Sequence, residues 1–433
     1  MAAVQTPENP HRRAFAILFA ATLLTASGNT ALQAVLAVIG RQIGIKDTLI
    51  VGVFSASAIM WTLVSTRWAK ESDRRGRKPM VIVGVSGFCL SMLGFALAVW
   101  AGLHHWAGPA VIFAAMLVAR SLYGLIGSAA TPAAQAYVAD RTQGQGRVQA
   151  LATLASAIGL GTVIGPTLAP FLVLPILGLA GPMLIFALIG LVMAVVVWRL
   201  LPAGDFPGGP RGQRPTRAAR PAGGLWLDRR VLPFIAWGFM LASCQAINTQ
   251  ALAFQVIDSL HVTAERAERF IGIGMLAGAL ATLVGQWGLI PHLKMTPRSL
   301  LRAGAALAAA GNLMIAFAPD YYTVVVAYAV LTLGFGLARP GYTAGASLAV
   351  GPEAQGEVAG MMAAISGACY VLSPLIGMAL YEQFHPTPFL LNVAILTGLA
   401  VAAFTVRALA KSSTHRADDD PVEDESAPGL PPV

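Results

Sequence analysis

Apolar stretches of about twenty residues recur along the whole chain, and short clusters of charged residues separate them. A helix needs roughly 20 mostly apolar residues to cross a lipid bilayer. Because these stretches lack the strict alternation of barrel strands, we expect helices. The pattern predicts twelve membrane spans, near residues 14–39, 48–68, 80–101, 109–138, 148–173, 181–201, 232–257, 268–290, 300–318, 321–345, 357–381 and 388–407.

Composition supports a protein embedded in lipid. Of the 433 residues, 56% are hydrophobic and only 11% are charged, whereas soluble proteins carry about 25% charged residues. The net charge of +9 does not indicate a nucleic-acid partner, because the basic residues lie in short gaps rather than on one face of a folded domain. Each of Cys89, Cys244 and Cys369 falls within an apolar stretch, so we expect neither a disulfide nor a metal site.

The distribution of basic residues predicts the orientation of the spans. Twelve spans place both termini on one side of the membrane. Most loop cations lie on that side, including Arg12, Arg13, Lys70, Arg74, Arg75, Arg77, Lys78, Arg141, Arg147, Lys294 and Arg298. Since cytoplasmic loops carry an excess of Lys and Arg, we expect a multi-pass inner-membrane protein with both termini in the cytoplasm.

The spans fall into two groups of six around a long Pro-, Gly- and Arg-rich loop. We therefore expect five segments. These are a cytoplasmic N-terminal segment (1–13), an N-terminal six-helix bundle (14–201), a cytoplasmic linker (202–231), a C-terminal six-helix bundle (232–410) and an acidic, disordered tail (411–433).

Residues of distinctive chemistry repeat between the two groups at a constant offset of 219 positions. The matched pairs are Asn29 and Asn248, Trp68 and Trp287, Arg120 and Arg339, and Tyr123 and Tyr342. Single matches in apolar sequence carry little information, but four such pairs at one offset indicate an internal repeat. Two six-helix repeats around a site near the membrane midplane are typical of a transporter.

Three motifs resemble signatures of the major facilitator superfamily, and the resemblance covers the whole chain. "AKESDRRGRKP" (69–79) is similar to the loop 2–3 signature G-x-L-x-D-R-x-G-R-K, with Ala69 and Glu71 replacing Gly and Leu. "ARSLYGLIGSA" (119–129) resembles the span 4 signature. "GTVIGPTLAP" (161–170) resembles the span 5 signature that marks antiporters within the superfamily, and it contains Gly161, Gly165 and Pro166. The resemblance implies an all-α fold of two pseudo-symmetric six-helix bundles, closest to the 12-span drug:proton antiporter branch.

The same resemblance implies a gating role for the charged loop. Its residues would latch the two halves together on the cytoplasmic side and release them during transport. Candidate gating or coupling residues are Asp73, Arg74, Gly76, Arg77, Asp140 and Glu357. The alternative is that the loop merely retains positive charge inside the cell. The second copy of the loop has His292 in place of Asp73, and orientation requires no Asp in either loop, so we favour gating.

Polar residues within the spans are candidates for contact with a substrate. Arg120 and Arg339 lie about ten or more residues from the outer ends of their spans, and burying such a charge costs roughly 2.5–3.5 kcal/mol. Tyr123 and Tyr342 lie one helical turn further on. The amides Asn29, Gln33, Gln245 and Asn248 lie in spans 1 and 7. For each of these side chains the alternative is a structural hydrogen bond between helices.

These features predict a secondary transporter that works by alternating access. No carboxylate falls in the middle of a predicted span, so two arginines would favour an anionic or zwitterionic substrate such as a carboxylate metabolite or siderophore. We expect proton-coupled export by a monomer, with no cofactor and no enzymatic activity, because the chain has no P-loop and no nucleophile–base constellation. Two alternatives on the same fold are efflux of lipophilic cations and import or facilitated diffusion of an organic anion.

Overall fold

The computed structural model describes residues 10–142, 144–202, 226, 228–260, 264–350 and 355–406, and this part of the chain is almost entirely helical. Its α-helices are α1 (Pro10–Ile43), α2 (Asp47–Arg75), α3 (Arg77–Leu103), α4 (Pro109–Leu125), α5 (Ala130–Asp140), α6 (Gly144–Leu168), α7 (Gly181–Leu200), α8 (Leu232–Leu260), α9 (Ala264–Leu283), α10 (Ile290–His292), α11 (Pro297–Ala316), α12 (Tyr321–Leu348), α13 (Gln355–Gln383) and α14 (Thr387–Thr405). The predicted all-α architecture is confirmed.

Two of the predicted spans are interrupted helices. A 3₁₀ turn (Gly127–Ala129) joins α4 to α5, and a π-helical stretch (Val284–Leu289) joins α9 to α10. Among the described residues, ten helical segments are long and apolar enough to cross a membrane. The helices α8 and α13, of 29 residues each, are not among the ten, and α8 carries the amides predicted to line a polar interior. Together the segments give twelve long passes.

Helix contacts follow the repeat. In the first half α1 packs on α6 and α7, and α3 packs on α4 and α7; in the second half α8 packs on α13, and α11 packs on α12 and α14. Small residues allow these contacts: a Cβ at Gly84 would lie 2.2 Å from the backbone nitrogen of Ala130, and one at Gly304 would lie 2.6 Å from the Cβ of Ala338. The halves meet where α2 contacts α13, where α6 contacts α9, and where α1 contacts α8 and α9.

A buried amide pair fixes the position of α8 in the second half. Asn312 and Asn392 are fully buried. The Nδ2 of Asn392 donates to Oδ1 of Asn312 at 3.2 Å and to the carbonyl oxygen of Cys244 at 3.3 Å. Hydrogen bonds of this kind stabilise helix contacts where no water competes for the same groups. The pair therefore ties α8, α11 and α14 together one helical turn from Asn248.

The main departure from the predicted boundaries is the end of the second span. It was expected near residue 68, whereas α2 continues to Arg75, so most of "SDRRGRKP" is helical rather than loop. Charged side chains stabilise this extension, because Glu71 forms ion pairs with Arg74 and Arg75 at i,i+3 and i,i+4 spacing. The reversal is confined to Gly76, whose φ of +96° favours glycine.

Candidate functional site

Arg120 is buried deep in the first half of the protein. It lies eleven residues after the start of α4 at Pro109, which corresponds to a depth of about 16 Å, and only 2% of its surface is exposed. Its Nη2 donates to the Oδ1 of Asn29 on α1. The guanidinium carbon lies 4.7 Å from the ring centroid of Phe54 and 4.5 Å from that of Tyr123. Asn29 and two aromatic rings thus hold one cation between α1, α2 and α4.

This guanidinium retains unused donors. Its Nε and Nη1 are inaccessible to solvent and have no hydrogen-bond partner, and no described carboxylate lies within 4 Å of it. Buried polar groups are almost always satisfied, so such a pair of open N–H groups requires an explanation. A carboxylate ligand would satisfy them, because guanidinium donors match the two oxygens of a carboxylate.

Arg339 does not repeat this arrangement. Its side chain is exposed and makes no hydrogen bond or ion pair with the described residues. Its electrostatic neighbours are Cys369 and Tyr370 on α13. The internal repeat therefore places an arginine at the equivalent position of each half, but only the first is enclosed.

Contacts between α2 and α13 link the surroundings of the two arginines. Ser55, which follows the Phe54 ring that covers Arg120, is buried, and its hydroxyl donates to the carbonyl oxygen of Tyr370 at 3.4 Å. Tyr370 is in turn an electrostatic neighbour of Arg339. A Cβ at Gly52 would lie 3.3 Å from Leu375, which shows how closely the two helices pack. The two arginines therefore lie on opposite sides of the contact between α2 and α13, one in each half.

The two predicted tyrosines also occupy different environments. Tyr123 stacks with Arg120 and lies 5.6 Å from Trp61, measured between ring centroids. Tyr342 is 2% exposed and packs against Trp237 and Gly238 on α8. Tyr123 therefore contacts the arginine of its own half, whereas Tyr342 lies in the core of the second half.

The four predicted amides lie on α1 and α8, and they also differ between the halves. Asn29 accepts the Arg120 bond, and Gln33, one turn further along α1, is half-buried. On α8 Gln245 is half-buried, whereas Asn248 is 2% exposed and neither of its amide atoms has a hydrogen-bond partner. Asn248 thus carries unsatisfied groups where its counterpart Asn29 is bonded.

The structure adds residues that the sequence pattern did not indicate. The hydroxyl of Thr249 interacts with those of Tyr328 and Tyr370, which joins α8, α12 and α13. Glu268 is 2% exposed in the second turn of α9, whereas it was assigned to the edge of a predicted span. Glu268 is therefore a buried carboxylate near the end of its span rather than in its middle, because it lies only about 6 Å from the start of its helix.

A second charged cluster joins the halves at the predicted outer ends of the helices. Arg41, in the last turn of α1, donates to both carboxylate oxygens of Asp258, in the last turn of α8. Arg41 also binds Asp47 of its own half at 2.8 Å. The hydroxyl of Tyr381 donates to Asp258 at 2.7 Å, and the backbone N–H of Thr48 donates to Glu382 at 2.7 Å. The bonds of Arg41 to Asp258 and of Thr48 to Glu382 thus link the two halves at the predicted outer side.

The predicted gating residues form a cluster within the first half. Arg77 binds Asp73 on one side and donates from Nε to Asp140 at 2.9 Å on the other, so it links the motif to the candidate gating residue Asp140. Arg74 instead pairs with Glu71 at 3.6 Å. Asp73 lies in the last turn of α2, and the residue that precedes α3 is Gly76. Glu357 lies on α13, but its side chain is outside the described residues.

The span 5 signature forms a close contact between α1 and α6. A Cβ at Gly165 would lie 2.2 Å from the carbonyl oxygen of Ser27 and from the hydroxyl of Thr30, and that hydroxyl donates to the carbonyl oxygen of Gly161 at 2.9 Å. The carbonyl oxygen of Pro166 faces α9, where a Cβ at Gly272 would lie 3.1 Å from it. The signature therefore touches both the first half and the contact between the halves.

Comparison with known proteins agrees with this architecture. Residues 18–293 match the family model described as Major Facilitator Superfamily. Multidrug resistance protein 2 of Bacillus subtilis (strain 168) is 26% identical over 361 residues, which cover 81% of this chain and 84% of that protein. The class C tetracycline resistance protein of Escherichia coli is 24% identical over 367 residues, which cover 83% and 86%.

Solved structures show the same fold at lower identity. A bacterial homologue of the human lysosomal transporter Spinster, in an inward-facing and unoccupied conformation, superposes with a TM-score of 0.71 at 15% identity, over 94% of this chain and 99% of that one. The nucleoside transporter NupG superposes with a TM-score of 0.68 at 13% identity, over 92% and 99%.

Proposed function

This protein belongs to the major facilitator superfamily and is a membrane transporter, and we propose that it exports a small organic anion or zwitterion by proton-coupled alternating access. The observation that carries the proposal is the guanidinium of Arg120, which is buried with two unsatisfied nitrogen atoms. A carboxylate would satisfy both the charge and the open N–H groups, whereas a cation would satisfy neither.

Arg339 strengthens the preference for an anion. It is a second unneutralised cation near the contact between α2 and α13. Two unit charges 10 Å apart interact by about 1–2 kcal/mol at an effective dielectric constant near 20. Each arginine would favour an anion and disfavour a cation by that order, and 1.4 kcal/mol is about a factor of ten. Glu268 reduces this preference only in part, because it lies about 10 Å nearer the predicted outer surface than Arg120.

The other candidates supply orientation. Tyr123, Asn29 and Gln33 belong to the wall around Arg120. On the opposite wall Gln245 and Asn248 present amides, and Tyr342 supports α8 from behind. The coupling proton would bind at Asp73 or Asp140 near the cytoplasmic surface, or travel on the carboxylate of the substrate. The resemblance of Gly161, Gly165 and Pro166 to the antiporter signature supports export.

Efflux of lipophilic cations is the second candidate. Two observations favour it: the curated relatives are named for multidrug and tetracycline resistance, and aromatic rings surround Arg120. Phe54 and Tyr123 contact the guanidinium, and Trp61 stacks against Tyr123. Import or facilitated diffusion of an anion would use the same residues and would differ from proton-coupled export in direction or in the source of energy.

Competition binding to the purified protein tests the charge preference. We expect a tricarboxylate such as citrate to raise the melting temperature of the wild type, and tetraphenylphosphonium to have no effect. Arg120→Ala and Arg339→Ala should each lose the response to the anion, whereas Arg230→Ala should keep it, because Arg230 is exposed and pairs with Asp228 at 2.9 Å. Tight binding of the cation by the wild type and by both arginine variants, without anion binding, would refute the proposal.

Flux in proteoliposomes tests the source of energy. A proton gradient should drive accumulation of the bound anion against its concentration gradient, and an uncoupler should abolish that accumulation. Equal flux in both directions that does not respond to the uncoupler would identify a facilitator.

A further inference from the structure

Two arginines of α11 reach the last turn of α14. Arg298 and Arg302 are one helical turn apart. Arg298 donates from Nη2 to the carbonyl oxygen of Phe404 at 3.3 Å, and Arg302 donates from Nε to that of Ala403 at 3.2 Å. The guanidinium carbon of Arg302 lies 3.8 Å from the centroid of the Phe404 ring. Both cations are thus held at the same end of α14.

No carboxylate among the described residues neutralises these two arginines. No described carboxylate lies within 4 Å of either guanidinium, and the two charges repel each other. The Nε of Arg298 is inaccessible to solvent and has no partner. Each guanidinium has five N–H donors, and each makes a single hydrogen bond to α14, so most of these donors are free for a further acceptor.

The position of the pair indicates the chemistry of that acceptor. Phe404 is 59% exposed beside Arg302, on a helix that crosses the membrane, so its ring faces lipid. The pair lies where α11 begins and α14 ends, on the predicted cytoplasmic side. Trp287, which is 74% exposed, lies near the end of the preceding pass on the same side. Exposed tryptophans mark the level of the lipid headgroups.

We propose that Arg298 and Arg302 bind the phosphate of an anionic phospholipid whose acyl chain packs against Phe404. Basic residues between membrane helices on the cytoplasmic side suit such headgroups, and the planar guanidinium groups suit a phosphate better than ammonium groups would. The rival occupant is the acidic end of the chain, from Asp418 onward. The lipid is favoured because the cations adjoin a ring exposed to lipid.

Thermal unfolding in nanodiscs tests the site. Replacing phosphatidylcholine by phosphatidylglycerol should raise the melting temperature of the wild type. Each juxtamembrane arginine contributes about 1 kcal/mol to anionic lipid binding, so Arg298→Gln and Arg302→Gln should each weaken phosphatidylglycerol binding, titrated by native mass spectrometry, about fivefold. Arg75→Gln is the matched control, because Arg75 lies on the same predicted surface but is paired with Glu71.

Three further arms separate the alternatives. A chain truncated after His415 should keep the response to phosphatidylglycerol, and inorganic phosphate should not reproduce the stabilisation. The double variant Arg298→Lys, Arg302→Lys retains both charges, so it should bind phosphatidylglycerol more tightly than the Gln variants. That result would show that the Gln variants bind weakly because they lack charge and not because they misfold. An unchanged response in both Gln variants would overturn the proposal. So would Gln variants that differ from wild type only when the acidic tail is present.

Discussion

Arg41 and Asp258 join the two halves of the protein at the predicted outer ends of α1 and α8. Arg41 donates to both oxygens of the Asp258 carboxylate while it also holds Asp47 of its own half. Hydrogen bonds also link the halves between Thr48 and Glu382 and between Ser55 and Tyr370. The charged residues of the motif at 69–79, in contrast, pair within the first half. Arg41 and Asp258 therefore link the halves at the opposite end of the helices from that motif.

Removing the carboxylate of Asp258 should open the outer side. Hydrogen bonds to charged groups contribute about 1.5–3 kcal/mol, so Asp258→Asn should shift the equilibrium between conformations about tenfold or more. Spin labels at Lys46 and Phe384, in a cysteine-free background, would report the distance between the outer ends. Asp47→Asn is the control, because it leaves the bond between the halves in place. Equal distances in the wild type and in Asp258→Asn would show that the pair does not hold the outer side closed.

Neutralising Arg120 through its partner should weaken the preference for anions. Asn29→Asp would give the guanidinium a carboxylate at the position of its present acceptor, and a buried arginine with a counter-ion no longer attracts an anion. We expect at least about tenfold weaker anion binding, measured by isothermal titration. Asn29→Ala removes the acceptor without adding charge and should retain the preference for anions. If Asn29→Asp bound anions as well as Asn29→Ala did, Arg120 would not be the ligand.

The contact between α1 and α6 should not tolerate a methyl group at Gly165. The added Cβ would lie 2.2 Å from backbone and hydroxyl oxygens of α1, and overpacking of this kind costs about 1–3 kcal/mol. Gly165→Ala should therefore lower the melting temperature in detergent. Gly159→Ala is a matched control on the same helix, because a Cβ there meets nothing within 4 Å. It should leave the melting temperature unchanged or raise it. Identical effects of the two substitutions would contradict the close contact.

The cytoplasmic cluster should control turnover rather than affinity. Asp140→Asn removes the ion pair between Arg77 and α5, and Asp73→Asn removes the pair between Arg77 and α2. Both should lower the transport rate while the dissociation constant for substrate stays within about twofold, because the cluster is far from Arg120. The effect of Asp140→Asn should be the larger, since the Asp73 side chain is 67% exposed and that of Asp140 only 24%. Transport rates and equilibrium binding in the same vesicles distinguish this from loss of the binding site.

The apolar pattern predicted the helices well because twenty apolar residues have few alternatives in a bilayer. It failed at helix ends, where charged residues can extend a helix as well as terminate it. The ion pair between Glu71 and Arg75 stabilises the extension of α2 beyond its predicted end. Helix α8 also continues past its predicted end and includes Asp258. A hydropathy pattern scores such residues as loop, so the pair of Arg41 and Asp258 was not found.

The repeat of 219 residues predicted corresponding backbone positions but not corresponding side-chain environments. Arg120 and Arg339 match in sequence, yet the first is enclosed and the second is exposed. Tyr342 is directed towards Trp237, a ring that no repeat position in the first half supplies to Tyr123. Side-chain packing depends on contacts between distant segments, and these have diverged between the halves.

Because their environments differ, the side chains of Arg120 and Arg339 differ in conformational freedom. A free arginine side chain carries about 2 kcal/mol of rotamer entropy. The rings of Phe54 and Tyr123 and the amide of Asn29 have already restricted Arg120, so a ligand that meets it orders little. Arg339 keeps its freedom and would lose it on each binding event. In the proposed binding mode, each binding event would therefore cost more side-chain entropy at Arg339, in the second half, than at Arg120, in the first.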